Sequence, residues 1–333
     1  MLHIAGFIAC AAIIFFAGKK LSLYGDLLAE KTGMSKGWIG LILMASVTSL
    51  PELMVGISSS AIVKSADLAT GDILGSCAFN LGILAMLDAF IPKHQPLFGV
   101  ASPRHMLIAA LGIMLLSLVG FALFLPQDYP VTPWIGLTSL VFILVYFVAI
   151  RVIYTNEQKN YVPEVKQEKE ELAGQMSLRT IIYHYSGFAL IIIIAALGLP
   201  FFAEGIAELT GLGKSFVGTF FLAASTSLPE IAVSIAAVRM GSVDLAVGNL
   251  LGSNIFNILI LALDDIFYTK GLLLKDSSEF HIISVLSTII MTAVVVVGLS
   301  YRAIGKRFFL AWDAALIFLI YIINLFFIYH FTS

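Results

Sequence analysis

The chain has 333 residues, of which 59% are hydrophobic and 12% are charged, and its formal net charge is −2. Because an ordinary soluble domain carries about 25% charged residues, this composition excludes a soluble globular protein. Apolar runs of about 20 residues recur, and each is long enough to cross a hydrocarbon core of roughly 30 Å. The runs are continuous rather than alternating, which favours helices over a β-barrel. The sequence therefore predicts an all-α polytopic membrane protein that contacts the lipid bilayer and no nucleic acid.

Ten transmembrane helices are predicted along the chain. The first lacks a basic start and a small-residue cleavage site, so we expect it to be retained. One substantial hydrophilic segment, TNEQKNYVPEVKQEKEELAGQMS, follows the fifth span. It is interpreted as a linker at 154–178 that joins a five-helix repeat at 1–153 to a second at 179–333. The spans lie near residues 4–24, 37–63, 67–91, 105–125, 133–153, 180–203, 214–240, 243–268, 281–300 and 307–330.

Lysine and arginine residues indicate the orientation of these spans. If the N-terminus lies outside, the inner loops hold thirteen of these residues and the outer loops hold four. Basic residues accumulate in cytoplasmic loops, so we expect the N-terminus outside and the linker in the cytoplasm. The expected location is the plasma or inner membrane, with multiple crossings.

The two halves of the chain are copies of each other. YGDLLAEKTGMSKGWIG in the first half aligns with FAEGIAELTGLGKSFVG in the second, and Glu52 aligns with Glu230, 178 residues later. After one skipped residue, Asp67 aligns with Asp244, which lies 177 residues later in the sequence. Each copy holds five spans, an odd number, so the second copy enters the membrane from the opposite side. Inverted repeats are typical of secondary transporters, whose binding site lies near the bilayer midplane.

Each copy places a proline and a glutamate inside an apolar span, in the motif TSLPE. Proline has no N–H, and its ring crowds the carbonyl four residues earlier, so we expect helix breaks at Pro51 and Pro229. The carbonyls before each break, those of Ala45 and Ala223 included, are expected to lose their helical partners. Such groups must face protein or a water-filled cavity.

The acids of the two motifs, Glu52 and Glu230, require a positive partner. A carboxylate at the membrane centre costs about 2.5–3.5 kcal/mol on insertion scales, and a bound cation or proton offsets that cost. Thr48 and Thr226 precede the glutamates by four residues, so hydroxyl and carboxylate share a helix face.

The next span of each half adds the segments GDILGSCAFN and GNLLGSNIFN. Ser76 and Asn80, like Ser253 and Asn257, are four residues apart and share a face. The glycines form small-xxx-small pairs that let helices approach closely, so these oxygens can reach the glutamates. No histidine or cysteine is matched between the halves. An all-oxygen site suits Ca²⁺ or Na⁺ rather than zinc or copper.

The remaining polar residues are interpreted as structural. Asp88 and Asp265 align near span ends and are expected at the solvated interface. The six histidines lie mostly at span ends or in loops, where we expect interfacial or structural roles.

The paired motifs resemble the signature repeats of the sodium/calcium exchanger family, within the Ca²⁺:cation antiporter superfamily, and the similarity covers nearly the whole chain. The resemblance implies that Glu52 and Glu230 are the central Ca²⁺ carboxylates. It also implies that threonine oxygens join them, that serines and alanine carbonyls complete flanking Na⁺ sites, and that asparagines line the middle position. These further residues are Thr48, Thr226, Ser76, Ser253, Asn80, Asn257, and Ala45 and Ala223 through their carbonyls.

Four positions depart from the pattern of that family. Val47 and Ser225 stand where bacterial relatives usually have glycine, and Asp72 replaces a more usual asparagine, which adds negative charge near the site. Asn257 stands where potassium-dependent relatives have aspartate, which argues against K⁺ cotransport.

The sequence predicts an antiporter for Na⁺ and Ca²⁺, rather than an enzyme, with these ions as substrates and no cofactor. Because the two ions share ligands, they exclude each other, and exclusion gives counter-transport. Exchange of H⁺ for Ca²⁺ through the same carboxylates is the main alternative. A passive channel and an intramembrane hydrolase are further alternatives, although the sequence has no Gly-x-Ser-x-Gly or His-Glu-x-x-His motif for a hydrolase.

Overall fold

A computed structural model describes residues 2–31, 45–92, 95–124, 130–159, 176–239, 241–306 and 308–332. This part of the chain is helical except for connecting segments and one short antiparallel pair of strands, β1 (Pro130–Thr132) and β2 (Ile135–Gly136). The helices are α1 (Leu2–Lys31), α2 (Leu50–Ile57), π1 (Ser58–Val63), α3 (Ala66–Asp88), α4 (Leu97–Val100), α5 (His105–Phe124), α6 (Leu137–Lys159), α7 (Leu178–Thr210), α8 (Lys214–Phe216), π2 (Val217–Leu222), α9 (Ala223–Thr226), α10 (Leu228–Arg239), α11 (Val243–Phe267), α12 (Leu273–Asp276), α13 (His281–Tyr301) and α14 (Trp312–Thr332).

Eight of the described helices are long and apolar enough to cross a membrane: α1, α3, α5, α6, α7, α11, α13 and α14. A bent pair, Lys214–Thr226 and Leu228–Arg239, meets at 46° and makes a ninth crossing if it is one span. A shorter apolar helix runs over Leu50–Val63, and the residues before it, 32–44, lie outside the described ranges. The chain is an integral, multi-pass membrane protein, and eight predicted spans coincide with the long helices. Of the predicted linker, residues 160–175 lie outside the described part.

Two of the long helices, α3 and α11, occupy the centre of the protein. In their membrane-crossing windows 89% and 78% of the residues are buried, against 22% in α1 and 28% in α6 and α14. A helix that is apolar on every face and still exposed after folding must face lipid. The central pair therefore carries the polar residues, and the outer helices separate them from the bilayer.

The helices α1 and α7, the first and sixth predicted spans, pack along each other beside this centre. A Cβ atom at Gly205 of α7 would lie 2.2 Å from the ring of His3, so glycine permits this approach. On α1, a Cβ at Gly18 would lie 2.5 Å from Pro229. The pair of α1 and α7 therefore packs against the second proline motif, at Pro229.

Asp88 and Asp265 tie the ends of the central helices to the opposite half. Asp88 accepts the first N–H of α4 at 2.7 Å and the N–H of Ala311, before α14, at 2.7 Å. Asp265 accepts the first N–H of α12 at 2.8 Å and the N–H of Gly136, before α6, at 2.9 Å. Both aspartates are buried, so the expectation of a solvated interface is wrong. Helix-start N–H groups lack helical partners, and these carboxylates supply them.

A second reciprocal pair joins the starts of α3 and α11 to histidines of the opposite half. Asp67 lies 3.2 Å from His281 Nε2, and Asp244 lies 2.9 Å from His105 Nε2. Each aspartate also accepts a backbone N–H at 2.6 Å. The two histidines are therefore equivalent, and the prediction that no histidine is matched between the halves is wrong. A shift of one residue in the register hid this match. These contacts lie at helix starts, about 13 Å along α3 from Ser76.

Candidate cation-binding site

Both TSLPE motifs interrupt a helix at their serine. Ser49 separates the helical residues 45–48 from α2, and Ser227 separates α9 from α10. Pro51 and Pro229 then stand in the first turn of the new helix, where a missing N–H costs nothing. The predicted breaks are confirmed, and their cause is the absent N–H of proline.

The carbonyls of Ala45 and Ala223 nevertheless keep helical partners. The N–H of Ser49 donates to Ala45 O at 2.9 Å, and the N–H of Ser227 donates to Ala223 O at 3.1 Å. The expectation that these two carbonyls are free is therefore wrong. Because proline has no N–H, the carbonyl that loses its donor is the one four residues before the proline. That carbonyl belongs to Val47 or Ser225, two residues after each alanine. The carbonyls of Ala45 and Ala223 each also accept the threonine hydroxyl of their own motif, from Thr48 Oγ1 at 3.1 Å and from Thr226 Oγ1 at 3.3 Å.

The glutamates of the two motifs are joined crosswise by serines. Ser49 Oγ donates to Glu230 Oε1 at 3.2 Å, and Ser227 Oγ donates to Glu52 Oε1 at 3.1 Å. All four side chains are fully buried. The two motifs therefore lie against each other at their breaks, and the predicted carboxylates come together. Sequence reasoning missed the serines, although their identical place in both copies of TSLPE was a usable signal.

The threonines and serines of the predicted set gather around the same pair. Ser76 Oγ lies 3.3 Å from Thr226 Oγ1, and Ser253 Oγ donates to Glu230 Oε1 at 3.5 Å. Thr48 Oγ1 donates to the carbonyl of Ala45 within its own motif at 3.1 Å. The central helices therefore bring one hydroxyl to Glu230 and another to Thr226.

Asp72 is a third carboxylate beside this cluster. It accepts the hydroxyl of Thr226 at 3.1 Å and is fully buried. It lies one helical turn before Ser76, so both side chains share a face of α3.

Glycine allows α3 to approach so closely. A Cβ at Gly75 would lie 2.3 Å from the carbonyl oxygen of Thr219, and a Cβ at Gly71 would lie 3.1 Å from the Cα of Gly218. These two glycines therefore act as a small-xxx-small pair against π2.

The asparagines line the contact between the central helices. Asn80 Nδ2 donates to Asn254 Oδ1 at 3.0 Å, and Asn254 Nδ2 donates to the carbonyl of Cys77 at 3.0 Å. Asn257 Nδ2 lies 3.7 Å from Cys77 Sγ. Within the described residues, Asn80 Oδ1 and Asn257 Oδ1 have no hydrogen-bond partner, so both oxygens can accept a ligand. Asn254 was not predicted, although it is the equivalent of Cys77.

The site has an excess of negative oxygen atoms. Glu52 Oε2, Glu230 Oε2 and Asp72 Oδ2 are buried, and none has a hydrogen-bond partner among the described residues. In the same part of the chain, the ion pairs of lysine, arginine and histidine involve other acids. An uncompensated buried charge costs several kcal/mol. The arrangement therefore suits a bound cation or protons.

A multi-pass helical membrane protein with a buried, oxygen-lined acidic centre is the class that this fold and site define. The family model of the sodium/calcium exchanger protein matches residues 2–154 and 181–330, and the chain belongs to that family. It is 30% identical over 251 residues to the inner membrane protein YrbG of Escherichia coli, covering 75% of this chain and 74% of that protein. It is 27% identical over 335 residues to the sodium/calcium exchanger MaX1 of Methanosarcina acetivorans, covering 89% of each.

Solved structures share the fold. The crystal structure of the H⁺/Ca²⁺ exchanger CAX matches with a TM-score of 0.74 and 17% identity, over 99% of this chain and 85% of that one. The sodium-calcium exchanger NCX_Mj, soaked with Na⁺ and Sr²⁺, matches with a TM-score of 0.62 and 20% identity, over 97% of both chains. At these identities the likeness concerns the fold.

Proposed function

We propose that this protein is a secondary antiporter that exchanges Na⁺ for Ca²⁺ across the membrane by alternating access. The observation that carries the proposal is the crosswise pairing of Glu52 and Glu230 with Ser227 and Ser49. Two buried carboxylates, one from each half, match the charge of one Ca²⁺ ion. The hydroxyl and amide oxygens around them are the ligands that hard cations prefer. Membership of the sodium/calcium exchanger family supports the same conclusion.

The proposed architecture has ten transmembrane helices in two inverted five-helix repeats, with the N-terminus outside and a cytoplasmic linker at 154–178. Besides the eight long helices, the bent pair makes one span. The predicted span at 37–63, to which Leu50–Val63 belongs, makes the other. Reciprocal contacts of equivalent residues support the two-fold relation. Asp67 meets His281 as Asp244 meets His105.

Exchange follows from ligand sharing. Glu52 and Glu230 hold Ca²⁺ together with Thr48 and Thr226, and Na⁺ ions use overlapping oxygens, so the two cargoes cannot be bound at once. The flanking Na⁺ positions use the remaining predicted ligands: Ser76, Ser253, Asn80, Asn257 and the carbonyls of Ala45 and Ala223.

Occupancy also controls the change of access. A loaded site is close to neutral and can pass between the inward and outward states, whereas an empty site retains buried negative charge, which opposes the change. The pair α1 and α7 is the element that we expect to slide against the centre. The contact of Gly18 with Pro229 supports this expectation, because Pro229 adjoins Glu230, a proposed ligand.

Exchange of H⁺ for Ca²⁺ is the second candidate function. Asp72 favours it, because this third carboxylate accepts the hydroxyl of Thr226, a proposed ligand. One Ca²⁺ ion neutralises two carboxylates, so the third needs another positive charge, and a proton can supply it.

The test is Ca²⁺ uptake into liposomes that contain the purified protein. At equal pH on both sides, we expect an outward Na⁺ gradient to drive uptake, while a pH gradient without Na⁺ does not. Uptake that follows the pH gradient and ignores Na⁺ establishes the second candidate instead.

Matched variants then assign the site. Glu52→Gln and Glu230→Gln should each abolish exchange, because each removes one of the two charges that balance Ca²⁺. Glu204→Gln makes the same chemical change at an acid that pairs with Lys214 near a helix end, and it should exchange normally. Normal transport by either site variant removes that glutamate from the mechanism.

A further inference from the structure

Asp264 is a buried acid that the proposed exchange does not use. It lies on α11 and is fully buried, and neither of its carboxylate oxygens has a hydrogen-bond partner among the described residues. The ion pairs of that part of the chain do not include it. The equivalent position in the first half is Leu87, so one half alone carries this acid.

The carboxylate of Asp264 lies beyond the proposed ligands, one helical turn from Glu52 along α2 and two turns from Asn257 along α11. It rests against Gly56 of α2, where a Cβ would lie 2.3 and 2.4 Å from its two oxygens. Gly56 follows Glu52 by four residues, on the same helix face and about 6 Å along the axis. On its own helix, Asp264 follows Asn257 by seven residues, which also keeps it on one face. Asp264 therefore lies on the same face of α11 as Asn257, and it contacts the face of α2 that carries Glu52.

The same face continues with hydroxyl groups. Ser59 and Ser60 of π1 follow Gly56 by three and four residues, and both are fully buried with hydroxyls that have no hydrogen-bond partner within the described ranges. The equivalent residues of the second half are Ala237 and Val238. The side of the site beyond Glu52 therefore has an acid and two hydroxyls at positions where the side beyond Glu230 has Leu87, Ala237 and Val238. The side beyond Glu230 keeps one buried hydroxyl, that of Ser234.

Asp72 adds charge on the same polar side. Because α3 returns antiparallel to α2, a position one turn before Ser76 and a position one turn after Glu52 lie toward the same end of the two helices. The equivalent of Asp72 in the second half is Asn249, which has no charge. Two additional acids thus lie on one side of a site whose central residues are symmetric.

We propose that Asp264, Ser59 and Ser60 form an additional Na⁺ subsite, one helical turn from Glu52. A buried carboxylate without a partner requires a positive charge. One negative charge matches a monovalent cation rather than Ca²⁺, and carboxylate and hydroxyl oxygens are suitable ligands for a hard ion. The inference deepens the proposed function, on which it rests for the identity of the ion. By the predicted orientation, the subsite lies on the outer side.

The test measures equilibrium binding of radioactive Na⁺ and Ca²⁺ to the purified, full-length protein in detergent. Saturating Ca²⁺ displaces Na⁺ from the shared ligands, and the wild type should still retain about one Na⁺ per chain to balance the charge of Asp264. Asp264→Asn, which preserves shape and removes the charge, should lose that ion and bind Ca²⁺ as the wild type does. Ser60→Ala should weaken Na⁺ retention. Ser234→Ala, at the equivalent of Gly56, is the matched control and should retain the ion.

Three results overturn the proposal. The first is equal Na⁺ retention by the wild type and Asp264→Asn. The second is a wild type that retains no Na⁺ at neutral or alkaline pH, since a proton then neutralises Asp264. The third is a loss of bound Ca²⁺ in Asp264→Asn, which makes the subsite divalent. A wild type that binds no Ca²⁺ contradicts the proposed exchange instead. The subsite is then tested separately, by the difference in bound Na⁺ between the wild type and Asp264→Asn. Monodisperse elution of each variant establishes that it is folded.

Discussion

Replacing Gly75 by alanine tests whether the close approach of α3 to π2 builds the site. The new Cβ would lie 2.3 Å from Thr219 O, 2.6 Å from Thr219 Cα and 2.8 Å from the Cβ of Ala223, whereas ordinary contacts begin at 3.4 Å. Two of these atoms belong to backbone, so the helices must separate. Overpacking of this kind costs about 1–3 kcal/mol, and the better helix propensity of alanine returns about 1 kcal/mol. We expect a net loss of up to about 2 kcal/mol.

Because the clash lies next to Ser76 and Ala223, the variant should also lose Ca²⁺ affinity and Na⁺-driven uptake. Gly112→Ala is the matched control, since nothing lies within 4 Å of a Cβ at that helical position. It should equal or exceed the wild type in thermal stability. Melting temperatures in detergent and uptake into liposomes provide the measurements. A Gly75→Ala protein with wild-type stability and transport would refute the reasoning.

Three further predictions concern other contacts. Asp88→Asn leaves the buried ammonium of Lys306, 3.0 Å away, without its counter-charge, and should lower the free energy of unfolding by about 3–5 kcal/mol; denaturation that matches the wild type contradicts this. Ser227→Ala removes the hydroxyl donor of Glu52 and should weaken Ca²⁺ binding about tenfold, as expected for a hydrogen bond to a charged group; an unchanged dissociation constant in a binding assay excludes that role. Removing Ca²⁺ with a chelator should lower the melting temperature, since ligand at about a hundredfold above its dissociation constant stabilises by about 2.7 kcal/mol. Glu52→Gln should show no such shift, and an equal shift in that variant places the ion elsewhere.

Much of the site was predictable because its signals are local or repeated. The apolar runs predicted the long helices, since a span must satisfy its own backbone hydrogen bonds in lipid. Both helix breaks were predicted from Pro51 and Pro229, because proline has no N–H to continue the helical hydrogen bonds. The shared register of the two halves predicted that Glu52 and Glu230 are equivalent, and the structure brings them together through the serines.

Other features depended on which helix faces meet. Ser49 and Glu230 are 181 residues apart, and their contact arises only when the two motifs pack at their breaks. Asp88 was predicted to be an interfacial acid because it lies near the end of a span. Its burial could not be predicted, since it depends on N–H groups at helix starts of both halves.

The sequence by itself determined the helices, their breaks and the acids of the centre, because each follows from composition, spacing or a single covalent property. Only the tertiary structure decided the partners. Asp264 reaches the ligand-bearing face because Gly56, on another helix, lacks a side chain. Such a fit depends on the relative position of two helices, and no pattern within either helix records it.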